Sequence, residues 1–225
     1  MTTTVCMIYR DDGSGHRRAA YHHASAWWYA HGYDVRVGDT PGAWSRPRTF
    51  NRLAWDARPG ILILANADVI PEPGAVHEAV YQAAMHQVTV YPFTRYVELS
   101  EGASWRVMAE GAWHESDVTL SLDNSVGPIL VVDRSAYLAI GGMDPRFLGW
   151  GFDDVAWALQ SEALLGPNRR TDGVCVHLYH RPDASSWAYP DHPGYQANLA
   201  LCQRYEDAAG ERAVIQSIRE EAPSA

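Results

Sequence analysis

Apolar residues along this chain fall into short unbroken runs, separated by longer stretches in which they recur at helical spacing. The strongest run lies within Gly60 to Pro71 and has four consecutive large aliphatics, Ile61 to Leu64. A strand buried on both faces of a parallel sheet reads this way. Val5 to Tyr9, Asp34 to Asp39, Val88 to Phe93, Gly127 to Arg134 and Gly173 to His180 read as further strands. Helices are predicted over Arg18 to His31 (closed by Gly32), Phe50 to Ala57, Glu72 to Gln87, Ser135 to Ile140, Asp153 to Leu165, Tyr195 to Ala209 and Glu211 to Glu221. The opening order of strand, loop, helix and strand predicts an α/β single domain. Its mostly parallel, Rossmann-like central sheet is flanked by helices, and ligands bind beyond the carboxyl ends of its strands.

Two stretches lack a period. Ser100 to Asp117 carries Gly102, Gly111, Trp105, Trp113 and His114 without regular spacing and reads as a loop or lid. It separates a half up to about residue 98 from a half beginning at about 118. Arg181 to Gly194 reads as a second loop, whose Trp187 and Tyr189 offer rings for stacking or for lid packing.

Composition narrows the classes. At 225 residues the chain supports one domain with a substantial core. No apolar run approaches the roughly 20 residues of a membrane span. The N-terminus lacks a basic stretch ahead of an apolar one, so no signal peptide is expected, and the expected location is cytoplasmic. Cys6, Cys175 and Cys202 sit in apolar settings without metal-ligand spacing and read as reduced, buried thiols. The net charge is -9, and all 18 basic residues are Arg. That balance argues against a broad electrostatic footprint on duplex DNA and leaves room for a local Arg-lined groove.

The candidate chemistry sits at strand ends. The loop after the first strand, Arg10 to Arg18, offers Arg for phosphate or a base edge and Asp12 for ribose or a ring nitrogen; a solvated loop is the alternative. The strongest strand ends in Asn66-Ala67-Asp68, where a carboxylate suits a hard divalent cation completed by phosphate oxygens, or simply a turn. His177 and His180 end the last strand. Imidazole is a less usual partner for a hard cation but suits Mn²⁺. At i and i+3 on one extended strand the two rings would point to opposite faces, so both on one ion is not expected. The Gly141-to-Asp154 block is rich in glycine and ends in tandem carboxylates at a helix start. Read alone, Asp153 and Asp154 admit a helix N-cap or a general base.

That block, with Gly-Gly-x-Asp followed by Trp-Gly-Phe-Asp-Asp, resembles the acceptor side of GT-A glycosyltransferases, especially the galactosyltransferase type. Tyr9-Arg10, Phe50-Asn51-Arg52, Asn66-Ala67-Asp68 and a His after the last strand follow the same family's order. The resemblance implies a GT-A fold and transfer of a hexose from a nucleotide sugar, UDP-sugar favoured, to an acceptor hydroxyl. It implies Asp154 as the base and Asp153 on donor or acceptor hydroxyls, with Trp150 lining the sugar pocket. It implies Mn²⁺ (or Mg²⁺) on Asp68 with His177 or His180. Tyr9, Arg10, Asp12, Arg17, Phe50, Arg52, Asn66 and Ala67 would bind the nucleotide. Asn66 departs from the family's Asp-x-Asp, whose first position often touches ribose. A base opposite the leaving group implies inversion. The acceptor is left open: a glycan, a lipid-linked sugar, a small molecule, a protein side chain or a modified DNA base. A non-catalytic nucleotide-sugar-binding module is one competing reading. A sugar-1-phosphate nucleotidyltransferase is the other, and the absence of Lys weighs against it.

Overall fold

The computed structural model describes residues 2–181 and 190–222. In chain order the elements are β1 (Thr3–Ile8), α1 (His16–Ala30), β2 (Asp34–Gly38), α2 (Arg46–Asp56), β3 (Ile61–Asn66), β4 (Val69–Pro71), α3 (Pro73–His86), β5 (Val90–Tyr91) and β6 (Arg95–Leu99). Then follow α4 (Glu101–Glu110), β7 (Val118–Asp123), β8 (Ile129–Asp133), α5 (Arg134–Ala139), α6 (Asp153–Leu165), β9 (Arg169–Arg170), β10 (Val174–His177), α7 (Pro193–Asp207) and α8 (Arg212–Glu220). A six-stranded sheet has the order β2-β1-β3-β8-β5-β9, and a four-stranded sheet the order β4-β10-β6-β7. In the larger sheet β1 pairs in parallel with β2 and β3, and β5 with β9, whereas β8 runs antiparallel to β3 and β5. The expected mostly parallel sheet is present, with β8 reversed within it.

The aliphatics of β1, β3 and β8 form the centre of the largest core cluster, joined by Trp28 of α1, Phe50 of α2 and Trp157 of α6. A second cluster packs α6 against α7 and α8 through Phe147, Leu164, Tyr205, Ile215 and Ile218. A third lies under the smaller sheet, where Val97, Val107 and Leu178 meet.

Three expectations are corrected. Ser100 to Asp117 is not a loop or lid: Ser100 caps α4, its hydroxyl accepting from Ala103 N–H at 3.3 Å, and Gly111 in the left-handed region closes it. Ala103, Ser104 and Val107 of α4 are buried, so this helix packs by one narrow face. The Gly60-to-Pro71 run is not one strand. It breaks at Ala67-Asp68, and β3 belongs to the larger sheet while β4 belongs to the smaller. The last strand ends at His177 rather than His180. Trp187 and Tyr189 lie outside the described residues. Among the described residues no helix is long and apolar enough to cross a membrane.

Candidate metal and transfer site

The break after β3 builds the first half of the site. Asp68 lies between the two sheets, and the next residue, Val69, pairs with His177 across β4 and β10. The Leu178 N–H donates to the Asp68 carbonyl at 2.8 Å, which fixes the chain where it leaves β10. Leu178 turns into the core, the Tyr179 N–H donates to Ser104 Oγ at 2.8 Å, and the backbone then carries His180 back toward Asp68. His177 Nε2 stands 3.6 Å from one oxygen of Asp68, and His180 Nε2 3.3 Å from the other. One ligand atom from each of the three residues lies within 4.8 Å of the others. The expectation that two histidines at i and i+3 diverge fails here, because the strand stops between them.

Burial alone would push the Asp68 carboxyl up. The two imidazoles and Arg17 outweigh it and hold the carboxyl well below the usual carboxylate range. Burial pulls the His180 imidazole down. For His177 burial acts the same way, but Asp68 overrides it and the imidazole is raised. His180 Nδ1 lies 2.9 Å from the Arg181 carbonyl. An N–H donated there leaves the Nε2 lone pair facing Asp68, the arrangement of a metal-bound histidine whose second nitrogen is anchored. Arg17 Nη2 stands 3.2 Å from the same Nδ1, a contact that an N–H on Nδ1 cannot accept and that forms only in the other tautomer, and Arg17 Nε lies 3.8 Å from Asp12. The buried Oδ1 atoms of Asn66 and Asp68 have no hydrogen-bond partner. The orphaned Asp68 acceptor beside two imidazoles fits a divalent cation that takes mixed oxygen and nitrogen ligands, as Mn²⁺ does.

The second half is the start of α6. Phe152 is its N-cap, with φ 70°, and it makes no side-chain capping bond. A bulky residue in the left-handed region costs about 1 to 3 kcal/mol and is held only by its surroundings. Asn198 of α7 supplies them, its Nδ2 donating to the carbonyls of Leu148 at 2.8 Å and Trp150 at 3.1 Å. Tyr195 meets Phe152 edge-on at 5.0 Å and stacks against Trp150 at 6.2 Å. Neither Asp153 nor Asp154 occupies the N-cap position, although Asp154 Oδ1 accepts from the Val155 N–H at 2.9 Å within the first turn. The Asp153 carboxylate accepts from Arg46 Nε at 2.7 Å, and Arg46 Nη1 donates to the Gly127 carbonyl at 2.7 Å. Burial raises the Asp153 carboxyl, with Asp154 adding to the rise and Arg46 opposing it. Asp154 is the more open of the pair, its side chain 29% exposed against 10% for Asp153.

A family model described as the N-terminal domain of galactosyltransferase matches residues 111–180, from the end of α4 through His180. No curated protein sequence matches the chain. Among solved structures, the catalytic domain of Drosophila β1,4-galactosyltransferase 7 in complex with xylobiose aligns over 88% of this chain and 79% of its own. The TM-score is 0.58 and the identity 15%. A mutant of the same enzyme in complex with manganese, UDP-Gal and xylobiose aligns over the same shares, at TM-score 0.58 and 14% identity. GalNAc-T7 with UDP, GalNAc and Mn²⁺ aligns over 98% of this chain and 54% of that chain, at TM-score 0.59 and 9% identity.

The chain has the GT-A glycosyltransferase fold.

In this GT-A domain most of the residues singled out from the sequence fall into three groups. Asn66, Asp68, His177, His180, Arg17 and Asp12 gather around the junction of the two sheets. Tyr9, Arg10 and Arg52 lie beyond the ends of β1 and β2. Tyr9 stacks on Tyr21 at 4.1 Å, while Arg10 pairs with Asp39 and covers the Trp44 ring at 5.2 Å. Arg52 donates to the Asp39 carbonyl at 2.7 Å. Asp153, Asp154 and the 57%-exposed Trp150 form the third group. Ala67 is buried at the β3–β4 break. Phe50 corrects its expectation: at 2% exposure it is a core residue, with no face left for a nucleotide.

The residues that hold this site together were not among those the sequence singled out. From the start of α2, Ser45 donates to the Phe147 carbonyl, Arg48 to Pro145 and Asn51 to Met143, at 2.8 to 2.9 Å. The signal was present. Ser45 and Asn51 are polar residues on the buried face of the helix, and Arg46 falls at the same end. The helix expected from Phe50 begins four residues earlier, at Arg46, with Pro47 in its first turn.

Proposed function

We propose that this protein is a metal-dependent, inverting glycosyltransferase that moves a hexose from a UDP-sugar to an acceptor hydroxyl. The observation that carries the reading is the convergence of Asp68, His177 and His180 within 4.8 Å at the junction of the sheets. The similar structures named above were determined with manganese and with UDP or UDP-Gal. Asp68, His177 and His180 would hold a divalent cation, which when bound supplies positive charge against the diphosphate leaving group. Arg17 adds a guanidinium beside that group, its buried Nε paired with Asp12 at 3.8 Å but without a hydrogen-bond partner. Asn66 offers its side-chain carbonyl to the donor ribose. Tyr9, Arg10, Asp12 and Arg52 bind the nucleoside end, and the exposed Trp150 ring, backed by Tyr195, presents a face to a sugar.

Asp154 takes the proton of the acceptor hydroxyl. The freed oxygen forms its bond to the anomeric carbon as the bond from that carbon to the phosphate oxygen breaks. UDP departs with the electron pair, and the proton remains on Asp154. Attack opposite the leaving group inverts the anomeric centre. The choice among glycan, small-molecule and modified-base acceptors falls to the rim around Trp150 and Tyr195.

The test is calorimetric titration of UDP and UDP-galactose with Mn²⁺ and with chelator, followed by measurement of UDP release. Binding that needs Mn²⁺, with turnover, is expected. Mn²⁺-dependent binding without turnover on any acceptor would favour a binding module, and no binding under either condition would sink the proposal.

A further inference from the structure

Two adjacent carboxylates at one helix start raise a question that the proposed chemistry does not answer: what keeps them in different roles. Both lie near a single buried cation. Arg46 Nε is 2.7 Å from Asp153 Oδ2, its Nη1 donates to the Gly127 carbonyl at 2.7 Å, and its Nη2 is 3.9 Å from Asp154 Oδ2. The guanidinium side chain is 12% exposed. Its own position is set at the first turn of α2, between Ser45 and Arg48, which bond to the 145–147 backbone. The two carboxylates therefore share one rigidly mounted fork. Asp153 receives its close, charge-assisted bond, while Asp154 receives its field at longer range and keeps Oδ2 beside Gly127.

The same fork reaches the donor side. Gly127 precedes Pro128, whose carbonyl accepts from the Asn66 N–H at 2.9 Å. One rigid path thus runs from Asp153 through Arg46 and Gly127-Pro128 to the residue that opens Asn66-Ala67-Asp68.

We propose that Arg46 is a positioning residue that divides the labour between the carboxylates, pinning Asp153 and orienting Asp154 as the proton acceptor. This rests on the transferase reading above. Two other titratable groups feel this pair, and neither competes for the proton. Burial pushes the Tyr91 phenol up, and it pushes the Cys202 thiol up to about 12, so both stay neutral. Arg170 adds a cation over the Tyr91 ring at 4.7 Å.

The experiment compares wild type, Arg46→Lys and Arg46→Met. It measures UDP release from UDP-galactose with water as acceptor across about pH 5 to 9, together with UDP affinity in Mn²⁺. Arg46→Met is expected to lose about 10²-fold or more in turnover near neutral pH while UDP affinity stays within about threefold. Removing the cation takes away the positive charge that favours both ionised carboxylates, so the acid limb of its rate profile moves to higher pH and activity partly recovers in alkali. Arg46→Lys restores part of the rate. Parallel loss of UDP affinity and turnover, or a profile lowered without displacement, would overturn the role. Should Arg46→Met not fold, the charge-neutral Arg46→Gln is measured in its place, and a displaced acid limb is required of it. If wild type binds no UDP, the transferase reading falls by itself. Arg46 is then judged by the carboxyl ¹³C titration of Asp153, which must rise in the charge-neutral Arg46→Gln, and an unchanged titration would refute the assignment.

Discussion

Gly127 lies so close to Asp154 that a Cβ on the glycine would stand 2.4 Å from Oδ2 of the carboxylate. No backbone strain is involved, because Gly127 is not among the residues of positive φ. The requirement for glycine is space alone. A methyl group there must displace the Asp154 carboxylate or open the Gly127–Arg46 hydrogen bond. Gly127→Ala is therefore expected to lower turnover at least about tenfold, since small displacements of a reacting group are costly. UDP affinity in Mn²⁺ should stay near that of wild type. Unchanged turnover would show that Asp154 is not the base.

At the sheet junction, the closeness of both imidazoles to Asp68 predicts that each contributes to holding the cation. His177→Ala and His180→Ala are each expected to weaken Mn²⁺ binding by about tenfold or more, with Asp68→Asn weakening it further. Electron paramagnetic resonance of Mn²⁺ in the presence of UDP separates the cases. If one histidine variant binds like wild type, that residue stands beside the ion without ligating it.

The strands and the tandem carboxylates were legible because they rest on local rules. Four aliphatics in a row can hardly be anything but a buried strand, and Asp153 to Leu165 was bounded to the residue. What escaped was anything decided by distant partners. The split at Ala67-Asp68 comes from β4 joining β10 in the second sheet, a pairing about a hundred residues away. α4 escaped because its buried side is only a few small or β-branched residues wide, too narrow for an apolar period to register. The convergence of His177 and His180 was hidden for the same reason, since only the tertiary bonds of Leu178 and Tyr179 end the strand at that point. Arg46 escaped because its helix begins earlier than the apolar pattern marks, and the carboxylates it meets lie about a hundred residues away.

The Gly-Gly pair before the acidic block has a definite structural task. Gly142 has φ 65°, and a Cβ there would meet Asn51 Oδ1 at 2.4 Å. That same oxygen accepts from Tyr137 OH at 2.5 Å and from the Met143 N–H at 3.0 Å, inside the core. Gly142→Ala would strain the backbone and break a buried network together, so a loss of about 3 kcal/mol or more in unfolding free energy is expected. Denaturant unfolding measures it. A loss within about 0.5 kcal/mol would mean that the 141–154 loop relaxes freely and that α2 does not hold it.

The Asp of Gly-Gly-x-Asp is also structural, and it gives the fold a predictable acid limit. Asp144 is buried, with its side chain 1% exposed. It accepts from Arg146 at 2.6 to 3.1 Å and from Tyr205 OH at 2.8 Å, and Arg219 stands at 3.4 Å. Burial would raise its carboxyl, but these partners prevail and hold it below the usual range. Its stabilising contribution is therefore fully present above the ordinary carboxylate pKa of about 3.9 and is lost as pH falls through the lower folded value. Asp144→Asn leaves Arg146 and Arg219 without their buried counter-charge and is expected to cost about 3 to 5 kcal/mol near neutral pH. Because wild type loses the same interaction in acid, the two unfolding curves should approach each other as pH is lowered below about 4. A gap that stays constant from neutral pH into acid would mean that Asp144 acts through shape and hydrogen bonding alone, and that its charge does not stabilise the junction of α7 and α8 with the glycine-rich loop.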